Sequence, residues 1–399
     1  MRGFRITDEL LDFVFKKGEV REKDFREAFV DSGKYSWNTI LKYKKKLEHE
    51  GKLKKKYELV DGRIVPIYYV PESLHWDLTT KKLLYSIGKL KLEFIRWYGT
   101  GEQGCEFTVK DVVCEYEDKC KPLPDEIERF KAKIVEEKAR NSKEKGYAFD
   151  NNPQYKLTKI RPSREYVNKI KDRKHKIYLT FSPTDFYTCM ATNLSLDKPL
   201  FEDKEKPTTI RDKYIKTQNL SDPSYLQHSP LANSFGVTLA TITEDNKIIL
   251  QKRSQQVALG PGKLTVATAE MMLRDRDVDR NGKPSPFETA RRCVKTELGV
   301  DVNLEDVNFL MFGVRLDYAL PQALGILRLK MRSNELPTLH KAIDQWEGYN
   351  FAEEFSVVNL KKYLLDPRKH LISDTAKLSI LLALINQYGF DQVERHFKG

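Results

Sequence analysis

Arg292 and Glu297 carry residue types whose spacing invites chemistry. In the stretch ARRCVKTELGV (290–300), positions 293, 296 and 297 share one face of a helix, because residues three and four apart are neighbours there. Three carboxylates on such a face would gather Mg²⁺ or Mn²⁺, hard ions that take oxygen ligands, hold a diphosphate and activate water. Here only Glu297 is a carboxylate. Cys293 is a poor ligand for a hard ion, and Thr296 offers a neutral hydroxyl. Glu288 lies nine residues earlier, about half a turn around the helix, and does not substitute. The stretch reads as a catalytic helix that lacks most of its catalysts.

A second constellation is basic. Residues 34–56 contain nine lysines against two glutamates. In SWNTILKYKKKLEHEGKL the cap is Ser36, the apolar stripe runs through Ile40, Tyr43 or the stem of Lys44, and Leu47, and Gly51 ends the helix. Trp37, Asn38, Thr39, Lys42, Lys45, Lys46 and His49 then point outward as candidate DNA contacts. Lys54 and Lys55 lead into KKYELVDGRIVPIYYV, whose Asp61-Gly62 is a two-residue hairpin signal, and Arg63 follows the turn. These three are candidate phosphate contacts. A solvated basic face on a protein-binding module is the alternative.

The chain of 399 residues is long enough for two or three domains, each with its own core. At 40% hydrophobic and 32% charged it has the composition of a globular protein. Apolar runs fall short of the roughly 18 residues of a membrane span, and MRGFRITDEL has no signal-peptide core, so the expectation is a cytoplasmic protein without membrane contact. Five cysteines without a C-x-x-C pair argue against a disulfide framework or structural zinc, and Cys105, Cys114 and Cys120 read as thiols rather than a partial metal site. The net charge is +12, yet residues 229–399 hold 23 Lys+Arg against 21 Asp+Glu, so the excess lies in the front half. That asymmetry suggests a polyanion-binding module joined to something else.

The elements that must position these residues follow. TDELLDFVFKKG, REKDFREAFV and the lysine-rich stretch read as three helices, and a β-ribbon follows. Helix, helix, helix, ribbon over about residues 4–71 resembles the winged helix-turn-helix family, with the third helix as the reading helix. Residues 74–175 are expected to be mainly helical. A long amphipathic helix at 78–98 and helices in FTVKDVVCEYEDKC and LPDEIERFKAKIVEEKARN precede a turn-rich hairpin, SKEKGYAFDNNPQYKLT. This segment is either a second winged helix or a dimerisation unit. REYVNKIKDRKHK reads as a helical connector. From residue 176 strands dominate: SPLANSFGVTLATITEDNKIILQKRS, LTVATAEMM, VNFLMFGVRLDYAL and ALGILRLKMRS. Pro286 and Gly299 bracket the helix that carries Glu297.

This order, with GPGKLTVATAE before a helix ending in Glu-x-Gly, resembles the Nudix hydrolase superfamily over about residues 229–390. The resemblance implies an α/β/α sandwich and a signature helix running Arg-Glu-apolar-x-Glu-Glu-x-Gly-apolar. Arg292, Val294, Glu297, Gly299 and Val300 match it, while Cys293 and Thr296 replace two glutamates. It also puts Glu270, at the end of LTVATAE, near the metal cluster. Catalytic and metal-binding roles would therefore fall to Glu297 and Glu270, with Mg²⁺ or Mn²⁺ required only if the domain is active. Asp275, Asp277 and Asp279 in the intervening loop read as solvated surface. Candidate ligand contacts are Arg253 and Arg315 for phosphate, Arg292, and Asp344 and Glu347 in DQWEGYNF. Structural ion pairs are the alternative for the arginines; for Arg292 the expected partner is Glu297 or Glu288. A surface turn is the alternative for the acids.

The expected whole is a multi-domain α+β protein: a winged helix at 1–73, the helical segment at 74–175, and a Nudix-like domain with an N-terminal extension at 176–399. The expected function is a DNA-binding, ligand-responsive transcription regulator whose degenerate Nudix domain holds a nucleotide or nucleoside-diphosphate derivative. Its partners are double-stranded DNA, a nucleotide-derived small molecule and a second copy in a homodimer. The alternatives are an active Mg-dependent pyrophosphohydrolase directed by nucleic-acid-binding domains, and an assembly scaffold without a ligand.

Overall fold

The computed structural model describes residues 6, 9–10, 13–14, 17, 19–49, 53–60, 63–69, 74–77, 82–87, 89–119, 121–145, 151–162, 176–200, 208–215, 220–255, 260–337, 349–365 and 372–398. The chain divides into two compact units, Met1–Leu92 with Phe397–Gly399, and Glu93–His396.

In the first unit, β1 (Glu19–Arg21) leads into helix α1 (Glu22–Phe25), which continues as a π-helical turn over Arg26–Asp31. Helix α2 (Trp37–His49) follows, and its start is fixed by Ser36, whose hydroxyl accepts from the Thr39 backbone N–H at 3.3 Å. Strands β2 (Lys54–Val60) and β3 (Arg63–Tyr69) form a hairpin in the register Val60↔Arg63, giving a sheet of order β1-β3-β2. The turn residues Asp61 and Gly62 themselves lie outside the described residues. Phe25, Phe29, Ile40, Leu47, Leu53 and Tyr68 form the core. Lys44 is buried more completely than its stem alone would require. At 3% exposure, its ammonium pairs with Glu22 at 2.7 Å and lies 4.0 Å from the Tyr68 ring centroid.

Where a helix is expected at 78–98, the described residues form three strands instead: β5 (Lys82–Ile87), which pairs with the preceding β4 (Leu74–Asp77) and with β6 (Leu90–Leu92), then β6 itself, and β7 (Phe94–Tyr98) in the other unit. The reason is visible in the burial. Tyr85, Ile87, Leu90, Leu92 and Phe94 are buried while Lys91 and Glu93 are exposed, which is the period of two of a strand. FTVKDVVCEYEDKC is likewise not a helix, because its β-branched Val112-Val113 opens strand β8 (Val112–Tyr116). The third expected helix is present as α3 (Asp125–Lys145). The segment 74–175 is split between the two units, and the connector 163–175 lies outside the described residues.

In the second unit, β9 (Pro153–Pro162) and β10 (Ile177–Asp185) build a sheet of order β8-β10-β9, and Asp185 caps α4 (Phe186–Ala191). The larger sheet has eight strands. β11 (Gly236–Ile242), β12 (Lys247–Lys252), β13 (Leu264–Val266), β14 (Thr268–Met271), β15 (Val307–Arg315), β16 (Leu320–Arg328) and β17 (Tyr349–Glu354) join β7 in the order β13-β12-β11-β16-β15-β7, with β14 paired to β11 and β17 to β12. Between β14 and β15 runs α5 (Pro286–Leu298). Ser285 caps it by accepting from the Glu288 N–H, Pro286 opens it, and Gly299 ends it in the left-handed region at φ 73°. Helices α6 (Val357–Leu364), α7 (Asp374–Tyr388) and α8 (Phe390–Lys398) complete the order. Helix α7 is buried nearly all round, as a helix inside a core must be. Among the described residues no helix is long and apolar enough to cross a membrane.

Candidate functional site

The site is built where β14, the loop after it, the end of β12 and helix α5 meet. Arg292 on α5 is the hub. Its Nε donates to Asp277 at 2.7 Å and its Nη2 to the same carboxylate at 2.9 Å. Nη2 also reaches the Met271 carbonyl at 3.0 Å, and Nη1 pairs with Glu270. Asp277 is fully buried and further accepts from the Leu273 N–H at 2.7 Å and the Thr289 hydroxyl at 3.0 Å. Burial works against the guanidinium's charge, but the bonds from Asp277 and the charge of Glu270 outweigh it and hold Arg292 above its usual pKa. The planar fork of arginine suits such two-point pairing with a carboxylate.

Three expectations change here. Arg292 pairs with Asp277 and Glu270 rather than with Glu297 or Glu288; Glu288 is taken by Arg291 at 2.5 Å. With its donors directed at two carboxylates and a carbonyl, Arg292 acts as a strut, not as a ligand contact. Asp277 is a structural anchor, whereas Asp275 is exposed as expected and Asp279 closes its own turn by accepting from the N–H groups of Asn281 and Lys283. The sequence signal for Asp277 was weak, because three alternating aspartates give no hint which one turns inward.

Glu297 is 8% exposed, and its carboxylate accepts from Gln251 Nε2 at 2.6 Å, while its backbone carbonyl accepts from Asn350 Nδ2 at 2.8 Å. Gln251 and Asn350 face each other in the β12–β17 register; neither was singled out from the sequence, although a lone amide in the apolar strand IILQK is a usable signal. Cys293 is buried. Its thiol is pushed well above its usual pKa, first by burial and then by the charges of Glu270 and Glu297, so it is a neutral thiol. Thr296 is exposed.

These donors do not suit a hard divalent cation. Glu270 is committed to Arg292, Glu297 to an amide, and the position between them is a protonated thiol. Among the described residues no group of three or more His, Cys, Asp or Glu side chains is arranged to hold a metal.

Arg253, at the end of β12, is brought to the same place. Burial depresses its pKa, Glu297 and Glu270 raise it, and Arg315 lowers it again, so each of these three charges lies within electrostatic reach of Arg253. The Nε of Arg253 is buried and has no hydrogen-bond partner among the described residues. Arg315 pairs with Asp317 at 2.5 Å and lies 4.9 Å from the Tyr318 ring centroid. Asp344 and Glu347 lie outside the described residues. A polar groove of about 830 Å³ is found elsewhere in this unit, lined by Glu106, Glu244, Glu305, Asp306, Arg328 and Lys330 among others; the sequence-selected residues are not part of it.

On α2, Asn38, Lys42, Lys45, Lys46 and His49 are exposed, as the pattern required. Thr39 is partly committed, its hydroxyl 2.8 Å from that of Ser36. Trp37 is half-buried against the core, and the guanidinium of Arg26 lies 4.2 Å from its ring centroid. Lys55 is exposed and 3.6 Å from Glu48. Lys54 opens β2 and Arg63 opens β3; their side chains are not among those described.

No protein-family model matches the chain, and no curated protein matches it. Among solved structures, the chain is similar to the crystal structure of DR0079 from Deinococcus radiodurans, at 16% sequence identity, over 37% of this chain and 80% of that one, with a TM-score of 0.26. Similarity at that level does not establish a shared fold.

Proposed function

We propose that this chain is a cytoplasmic, DNA-binding, ligand-responsive regulator. A winged helix-turn-helix unit at the front holds duplex DNA, and a degenerate Nudix unit holds a nucleotide or nucleoside-diphosphate derivative without cutting it. The chain acts as a homodimer on two half-sites. The observation that carries the reading is Arg253. A half-buried arginine whose Nε is buried and has no hydrogen-bond partner among the described residues, within electrostatic reach of a second arginine, suits a phosphate group, while the carboxylates a hydrolase needs are engaged by Arg292 and Gln251. The front half is supported by the helix–helix–hairpin order of the first unit and by the exposed lysines of α2.

The test joins a thermal-shift series with ADP, ADP-ribose and NAD to a hydrolysis screen of the same compounds with Mg²⁺ and Mn²⁺. Stabilisation without turnover, lost in Arg253→Gln, is the expected result. Turnover that Glu297→Gln abolishes would instead establish the pyrophosphohydrolase, and neither response would leave the scaffold reading. Duplex binding is measured in parallel across a salt series. Affinity must fall steeply with added salt, because lysines that neutralise phosphates release counterions.

A further inference from the structure

Arg26 and Trp37 form a cation–π pair in the first unit. Trp37 is the first residue of α2, half-buried against the core and so fixed in place. Arg26 starts the π-helical turn between the buried Phe25 and the buried Phe29, which fixes its backbone in turn. Its side chain is exposed, yet it lies over the indole at 4.2 Å instead of extending into solvent. Among the described residues no hydrogen bond or short ion pair of its guanidinium is found, although its charge reaches the Glu22 carboxylate and helps to hold that pKa down. A guanidinium held over an indole has one face covered and can still present its N–H donors, which lie in its plane, to a ligand. That plane is a preorganised fork, of the shape that meets a phosphate through two parallel hydrogen bonds.

Position decides what the fork meets. In a helix-turn-helix the helix before the reading helix crosses the nucleic-acid backbone, and the N-terminal residues of the reading helix approach base edges. Arg26 lies on the former, at the N-terminal end of the latter. Resting on the DNA-binding reading proposed above, we infer that Arg26, held over Trp37, clamps a backbone phosphate of duplex DNA at the N-terminal end of α2. Arg26 is therefore a DNA contact, and Trp37, selected from the sequence as an outward reader, is its positioning residue.

The experiment uses the full chain, a pool of random-sequence duplexes and a salt series. Arg26→Ala is expected to weaken binding about tenfold, equally for all sequences, and to reduce the slope of log affinity against log salt by about 1. Trp37→Leu, with its charge count unchanged, is expected to weaken binding while leaving that slope nearly intact. Melting temperature and near-ultraviolet circular dichroism check that each variant is folded; as Arg26 is exposed, its variant is expected to melt like the parent. A parent that binds no duplex would overturn both this assignment and the DNA-binding reading. A parent that binds while Arg26→Ala binds equally well would overturn the clamp alone. Loss of preference at a single base pair, without a change of slope, would also overturn it, by making Arg26 a base reader.

Discussion

At the scale of single residues, the candidate site is governed by which charges are already spent. Asp277 has no exposure and holds Arg292 at two points, and removing one partner of a buried pair strands the other charge. Asp277→Asn preserves shape but removes the charge. It is expected to destabilise the second unit by about 3 kcal/mol, read as a lower unfolding midpoint in urea with an unchanged slope. A shift below about 0.5 kcal/mol would mean that Arg292 finds compensation in Glu270 alone. Cys293 belongs to the same ledger of charge. Between Glu270 and Glu297, a third carboxylate would add repulsion, whereas a neutral thiol adds none.

At the scale of elements, the Glu22–Lys44–Tyr68 group ties the start of α1, the middle of α2 and the end of β3 to one another. The hydrogen bond from Lys44 holds the Glu22 carboxyl below its ordinary value of 4.5, against the opposing effect of burial. A carboxylate depressed in the folded state contributes stability that is fully present above its unfolded pKa and is lost as pH falls through the folded one. The first unit is therefore expected to melt at a lower temperature as pH drops below about 4.5. Glu22→Gln should flatten that part of the profile, and a variant profile that stays parallel to the parent would refute the assignment. The same scale explains the error at 78–98. Apolar residues spaced to satisfy a helical stripe there satisfy a period of two as well, and strand pairing of β5 with β4 and β6 selected the second.

At the scale of the whole molecule, the proposed function is a linkage between two units of one chain. If a nucleotide derivative shifts DNA affinity, DNA must shift the affinity for that nucleotide by the same factor. For a regulator this factor is expected to be about fivefold or more, measured as duplex affinity with and without saturating ADP-ribose and as ADP-ribose affinity with and without duplex. Unequal factors would point to a contaminating reaction, and a factor of one to two units that do not communicate. The sequence by itself determined the local events. Ser285, Pro286 and Gly299 set the bounds of α5, Ser36 the start of α2, the Asp61-Gly62 spacing the register of β2 with β3, and the lysines the exposed face of α2, because caps, turns and amphipathic periods act within a few residues. Tertiary structure alone decided that Asp277 turns inward, that Arg292 takes Asp277 and Glu270 instead of Glu297, that Gln251 holds Glu297, and that Arg26 lies over Trp37. Those partners are 11 to 46 residues apart along the chain. At the second unit's site, which buried carboxylate meets which donor is fixed by the cost of leaving a carboxylate unpaired, and that cost exists only once the sheet and helix have closed around them.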